Sequence, residues 1–264
     1  MAEDARMAAL LSFTRNGDTF VARSPGGSED GRLFGGYIAA RALAAAGATV
    51  DGDKLPHSLH AYFIRGGQYG VDIVLRVERV RDGRSFATRR VTVEQNDAAI
   101  FEMITSFHRS EEGTDGYTPP IPALALEDSV EVGTTMVLSK DFEMRGRAGD
   151  PEPFVLAPFW IRTRRPIADD PLLRACVLTL LSDIGPVPAA RPPGASLKAL
   201  MTPNLAASLD HSIWFHRPFD PHDWHCYDIT PVTTGSARGL VRGAIVGRDG
   251  TLIASTAQEA LWRG

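Results

Sequence analysis

Residues 207–219 read ASLDHSIWFHRPF, and residues 57–67 read HSLHAYFIRGG. The two runs resemble one another, and the elements around them recur in the same order. Upstream of the 57–67 run, a short strand, DTFVARS (18–24), leads into a Gly-rich loop, SPGGSEDGRLFGG (24–36). That loop opens onto an Ala-rich helix spanning about 36 to 48. The strand LPHSLHAYFIR (55–65) follows, and three more come after it: VDIVLRVERVR (71–81), RSFATRRVTVEQ (84–95) and AIFEMITSFHR (99–109). The joints RDGR and QNDA are hairpin signals between β-rich runs.

Around the 207–219 run, DFEMRG (141–146) and FVLAPFWIRTRR (154–165) read as strands. DDPLLRACVLTLLSD (169–183) reads as a helix with an Asp N-cap and Pro171 in its first turn. Strands LAASLDHSIWFHRP, WHCYDITPVT, SARGLVRGAIVG and TLIASTAQEALWR then follow, the last pair joined by the turn RDG. Aligning FATRRVTV with ARGLVRGAIV sets Arg90 against Arg242, and Ser106 falls against Gln258. Any two antiparallel meanders share this pattern, but the common order of helix, strand, hairpin, hairpin favours a duplication. The expected fold class is α+β, with two tandem helix-plus-antiparallel-sheet units forming one continuous sheet. Each helix buries an apolar stripe (Ile38, Leu43 and Val50 in the first half) on its sheet, and edge pairing removes exposed edges. The expected boundaries are 1–110, an acidic Pro-rich linker at 111–128, and 129–264.

Bulk composition narrows the function. The chain of 264 residues is 44% hydrophobic and 23% charged, as in an ordinary soluble globular protein. Net charge is -4 with both signs interspersed, so no footprint for nucleic acid or an anionic membrane is present. The two cysteines, Cys176 and Cys226, lie far apart, which fits a reducing compartment. The start MAEDARMAALLSF carries acids where a signal peptide needs bases. A cytoplasmic location without membrane or nucleic-acid partners is the expectation.

The stretches GRLFGGYIAARAL, HSLHAYFIRGG, RDGRSFATRRVTVEQN, LDHSIWFHRPF, SARGLVRG and DGTLIASTAQEALWR together resemble the acyl-CoA thioesterase II family. They occur in that family's order over roughly three quarters of the chain. The resemblance implies a double hotdog fold and hydrolysis of fatty acyl-CoA to free fatty acid and CoA, without cofactor or covalent nucleophile. It also implies a homo-oligomer, a dimer or larger. Carried over residue by residue, the family's Asp, hydroxyl residue and Gln fall on Asp183 in LLSDIG, Ser208 in AASLDHS and Gln258 in ASTAQEA. Ser208 stands where Thr is common. Tyr37 stands where many members have Gln, beside Gly35 and Gly36 at the opening of the first helix. Those three are the expected substrate-binding residues, the two glycines letting a carbonyl approach free backbone N–H groups. The Pro-rich IGPVPAARPPGASLKAL after Asp183 departs from the family.

The chemistry is coherent. A carboxylate can accept a proton from a water it hydrogen-bonds, while a hydroxyl and an amide fix that water. Other centres fit less well. Four of the seven histidines, His211, His216, His222 and His225, fall within residues 208–225. His211 and His216 are five apart and face opposite sides of an ideal strand, so no metal site is expected. GSARG has the letters of a nucleophile elbow in the wrong order. Cys176 lies within an apolar helix run, and no P-loop lysine is present. Arg65, Arg89, Arg90, Arg217, Arg238 and Arg242 are candidates to meet CoA phosphates. Two rivals stand beside thioester hydrolysis. One is a hotdog enoyl-CoA hydratase or dehydratase, disfavoured by the lack of a helical His. The other is a non-catalytic acyl-CoA binding protein, left open by the Pro-rich segment.

Overall fold

Alternation along the chain builds the strands. In Phe86–Gln95, the residues Ala87, Arg89, Val91, Val93 and Gln95 point inward while their neighbours face out. The computed structural model describes residues 7–24, 32–114, 116, 124–132, 140–151, 154–202 and 204–263. Most of the Gly-rich loop (25–31) and much of the expected linker (115 and 117–123) lie outside the described residues.

The chain divides into two units, Met1–Thr114 with Ala168–Leu181, and Asp115–Ile167 with Ser182–Gly264. The first contains β1 (Thr14–Asn16), β2 (Thr19–Ala22), α1 (Gly35–Gly47), β3 (Lys54–Phe63), β4 (Ile73–Asp82), β5 (Phe86–Gln95) and β6 (Ala98–Arg109). Its strands run in the antiparallel order β1-β2-β4-β5-β6-β3. Helix α1 lies against β3 to β6, and its alanines from Ala39 to Ala46 are fully buried. Small side chains let helix and sheet approach closely, so area buried rather than helix propensity holds this contact. Arg89 is completely buried in β5, yet its charge is satisfied. It donates to Thr49 Oγ1 at 2.8 Å, to the Thr49 carbonyl at 3.0 Å and to the Arg81 carbonyl at 2.9 Å, and it pairs with Asp82. That set ties the end of α1 to the β4–β5 hairpin. Removing one partner would strand a buried cation.

Helix α2 (Pro171–Ser182) starts where its sequence signals place it: the Asp170 carboxylate accepts from the Leu173 amide at 2.9 Å. Through Leu181 it groups with the first unit, where Leu172 packs on Gly47 of α1. The stretch Pro171–Ala189 is apolar and long enough to cross a bilayer by length and composition. However, 67% of it is buried inside the protein, as in a core helix.

The second unit contains β7 (Val130–Glu131), β8 (Phe142–Gly146), β9 (Phe159–Thr163), the short α3 (Pro186–Ala189), β10 (Ala206–Ser208), β11 (Asp210–Phe215), β12 (His225–Gly235), β13 (Arg238–Gly247) and β14 (Leu252–Trp262). Strands run β11-β14-β13-β12-β9-β8-β7, with β10 also on β14. The run 154–165 yields a strand only from Phe159, because Pro158 lacks an amide hydrogen for the ladder. The described end of the expected linker is held in place: the Trp160 indole donates to the Leu124 carbonyl at 2.9 Å. Both units turn one hairpin on two successive left-handed residues, Asn96 and Asp97 after β5, and Ser236 and Ala237 after β12.

The run 205–218 is not one strand. Ser208 opposes Ala260 on β14, and Ser212 opposes Ala257. Between these pairs, residues 209–211 face only 258 and 259, which is one residue too many. The chain therefore bulges. Leu209 donates its amide to the Glu259 carbonyl at 2.9 Å, and Asp210 Oδ1 accepts from the Glu259 amide at 2.7 Å, closing the irregularity. Hence Ser208 and His211, three apart, both reach inward. On a regular strand an odd spacing would put them on opposite faces.

Candidate active site

Asp183 follows the last residue of α2, and the chain then reverses through Gly185 at φ +97. A side chain at Gly185 would be strained and would meet the Phe159 ring at 2.8 Å, so this turn requires glycine. Ser182, just before Asp183, is anchored twice. Its carbonyl accepts from the buried Tyr227 hydroxyl at 2.8 Å, and its own hydroxyl lies 2.8 Å from His211 Nε2. Tyr227 also shares a hydrogen bond of 2.9 Å with Thr256 Oγ1. Because Tyr227 donates to Ser182, it accepts from Thr256. Burial pushes this phenol far above its ordinary pKa and keeps it neutral.

Three residues from three elements meet here. Ser208 Oγ donates to Asp183 Oδ1 at 3.2 Å. Gln258 Nε2 donates to the same carboxylate oxygen at 3.1 Å and to Ser208 Oγ at 2.8 Å. Asp183 and Gln258 are buried, at 7% and 1% exposure, whereas Ser208 is partly open. The triangle thus presents a carboxylate, a hydroxyl and an amide at one half-open point. That set can orient a water and take its proton.

Behind the triangle, His211 is fully buried. Burial drives its pKa down to about 4, with the Gln258 side chain acting in the opposite direction. His211 Nδ1 and Gln258 Oε1 each lack a hydrogen-bond partner of ordinary geometry among the described residues. The sequence alone takes His211 out of a metal site and assigns it no further role, and it does not single out Ser182, Tyr227 or Thr256. One signal was legible: the odd interval between Ser208 and His211 is incompatible with a regular strand if both are polar and inward.

The remaining candidates belong to other elements. Gly35 and Gly36 form the first turn of α1 in the first unit. Tyr37 is engaged there by the buried Arg41, whose Nε and Nη2 donate to the Tyr37 hydroxyl at 3.0 and 2.8 Å. The other three histidines of residues 208–225 do not converge: His216 meets Ser255, His222 meets the Thr163 carbonyl, and His225 meets the Asp223 carbonyl. No group of three potential metal-ligating side chains occurs among the described residues. Among the arginines, Arg89 is buried in its structural set and Arg90 pairs with Glu78. Arg238 pairs with Glu259, while Arg65 and Arg217 donate to backbone carbonyls. Both cysteines are buried free thiols, and burial raises both pKa values, that of Cys226 to about 12. Neither is a ready nucleophile.

Comparison with known proteins gives a consistent result. Residues 152–261 match the family described as acyl-CoA thioesterase, and residues 24–108 match the acyl-CoA thioesterase N-terminal domain. Acyl-coenzyme A thioesterase 8 of Mus musculus is 33% identical over 260 residues, covering 88% of this chain and 80% of its own length. Acyl-CoA thioesterase 2 of Haemophilus influenzae is 32% identical, covering 88% of each chain. The solved structure of TesB2, an acyl-CoA thioesterase II from Mycobacterium marinum, superposes with a TM-score of 0.81 at 32% identity, over 97% of this chain and 98% of that one. A hot dog fold protein from Alicyclobacillus acidocaldarius shares the fold at 17% identity, with a TM-score of 0.71 over 98% of each chain.

Proposed function

The chain belongs to the acyl-CoA thioesterase family and is a thioester hydrolase, and from that premise we propose that Asp183, Ser208 and Gln258 hold and activate the water that cleaves fatty acyl-CoA. The observation that carries this reading is the closed hydrogen-bond triangle in which Asp183 Oδ1 receives both Ser208 and Gln258. Asp183 takes a proton from the water as its oxygen bonds to the thioester carbon. The resulting tetrahedral species collapses with loss of the carbon–sulfur bond. The CoA thiolate leaves and regains a proton from Asp183, giving free acid and CoA. Ser208 and Gln258 contribute by fixing the water, since a pre-oriented nucleophile avoids an entropic barrier. Tyr227 and His211 hold the Ser182 end of the Asp183 turn, so the carboxylate is set by packing rather than by a loop.

The same reading includes two hotdog repeats. The recurrent element order and the paired left-handed hairpin turns support it. A cytoplasmic homo-oligomer, dimer or larger, completes the proposal. The free buried thiols are consistent with a reducing compartment.

The test is thiol release from acyl-CoA of several chain lengths. Asp183→Asn keeps the shape and removes the base, and kcat is expected to fall by about a hundredfold or more with KM little changed. Turnover at the wild-type rate would remove Asp183 from the chemistry.

A further inference from the structure

A glutamine amide can be turned either way at almost no steric cost, and only its neighbours decide which end points where. Gln258 serves the triangle in one orientation alone, with Nε2 toward Asp183 and Ser208. In that orientation Oε1 is turned inward, buried, and without a partner of ordinary geometry. An acceptor in that position calls for a donor from behind.

His211 is placed to supply it. The ladder that pairs Ser212 with Ala257 sets His211 against Gln258 at its next step, inside the bulge. The ring is fully buried and its Nδ1 is the second unmatched polar atom of this interior. Its other nitrogen is already engaged with Ser182 Oγ at 2.8 Å. A neutral imidazole has one donor and one acceptor nitrogen. If the Ser182 hydroxyl donates to Nε2, the proton sits on Nδ1 and faces Gln258.

We propose that His211 is the positioning residue for Gln258: its neutral ring, fixed by Ser182 at Nε2, presents Nδ1–H to Gln258 Oε1 and thereby locks the amide with Nε2 toward Asp183 and Ser208. The inference rests on the reading of Asp183, Ser208 and Gln258 as the water-holding set. The depressed pKa of the buried ring agrees with it, since a protonated ring would need an acceptor at both nitrogens. The bulge acquires a purpose as well. It lets Ser208 and His211 approach Gln258 from the same side of the sheet, one on each end of the amide.

The experiment compares two amides at position 211. The amide of His211→Asn superposes on Nδ1 of the ring and keeps a donor for Gln258. That of His211→Gln superposes on Nε2 and loses it. Asn is expected to keep kcat within about threefold of wild type, and Gln to lose about tenfold to a hundredfold, KM staying within about threefold for both. Equal losses in the two variants would overturn the proposal, as would a loss confined to KM. Folding is checked by near-ultraviolet circular dichroism. A readout independent of the variants is nitrogen-15 NMR of histidine-labelled wild-type protein at neutral pH. It is expected to show the His211 ring protonated at Nδ1 and bare at Nε2; the opposite tautomer would refute the proposal even if neither variant folds. Gln258→Ala separates the two ideas. If it turns over like wild type, the underlying triangle reading is wrong. If it is crippled while His211→Gln is not, the triangle stands and the positioning role falls.

Discussion

Gln258→Glu tests the electrostatics of the triangle most directly. The substitution keeps the outline of the side chain and replaces a donor with a second carboxylate, 3.1 Å from Asp183 Oδ1. Two unit charges at that distance repel by about 5 kcal/mol at an effective dielectric near 20. That corresponds to roughly four pKa units. The pair cannot be doubly ionised at neutral pH, so it titrates as a unit with one apparent pKa far above the ordinary carboxylate range. A carboxylate that shares a proton is no longer a base for water. We expect kcat at neutral pH to fall by about a hundredfold or more, and the acid limb of the kcat/KM profile to move up by about two units or more. The assay is steady-state thiol release across pH, with enzyme-free alkaline hydrolysis subtracted. Gln258→Leu is the control, because it removes the donor without adding charge and should lower the rate with the limb in place. If Gln258→Glu lost activity while its acid limb stayed at the wild-type position, Asp183 would not be the ionising base. A rate near wild type would remove Gln258 from the site altogether.

Ser208→Ala deletes the hydroxyl that bridges Gln258 and Asp183, and steady-state kinetics should show kcat lowered by about tenfold to a hundredfold at nearly constant KM. A methyl at Gly239 would stand 2.1 Å from the Ala190 carbonyl oxygen, so Gly239→Ala must push the α3 segment off the sheet; thermal unfolding should register a loss of roughly 3 kcal/mol, about 5–10 °C in Tm. His211 titrates near 4 when folded and near 6.5 when unfolded, so between those values the unfolded chain binds a proton the folded one refuses. Stability should therefore hold above that window and fall as pH drops through it, by up to about 3 kcal/mol from this group. Urea melts of wild type against His211→Asn isolate the effect, because the depressed pKa values of His57, His216 and His225 are common to both proteins.

Helix α1, helix α2 with its Asp170 cap, and the long hairpins were legible in the sequence, because their patterns are local: a period of two with turn residues, or an apolar run behind a cap. The break at Leu209 was not, since a bulge exists only relative to the partner strand and nothing in ASLDHSIWF announces which residue of β14 goes unmatched. The grouping of α2 with the first unit was equally hidden, because it depends on Leu172 meeting Gly47 far away in the chain. Asp183, Ser208 and Gln258 were named through family resemblance. Taken singly, an Asp after a helix, a strand Ser and a strand Gln are commonplace, and their convergence is a tertiary fact. His211 was visible as a residue, but its relation to Gln258 appears only with the unmatched atoms on both sides.

The bulge makes this centre sensitive to chain length as well as to composition. A chain shortened by one residue between Ser208 and Ser212 would retain every side chain of the triangle and could pair more regularly with β14 than the natural one does. Ser208 would still oppose Ala260 and would stand two residues from His211, so both would keep facing inward. What is lost is the kink, with one of the Leu209 and Asp210 ties to Glu259 that hold Ser208 where it meets Asp183. A survey of substitutions never samples that change in backbone shape, whereas a single-codon deletion reaches it in one step. An inventory of side chains would count such a variant as complete.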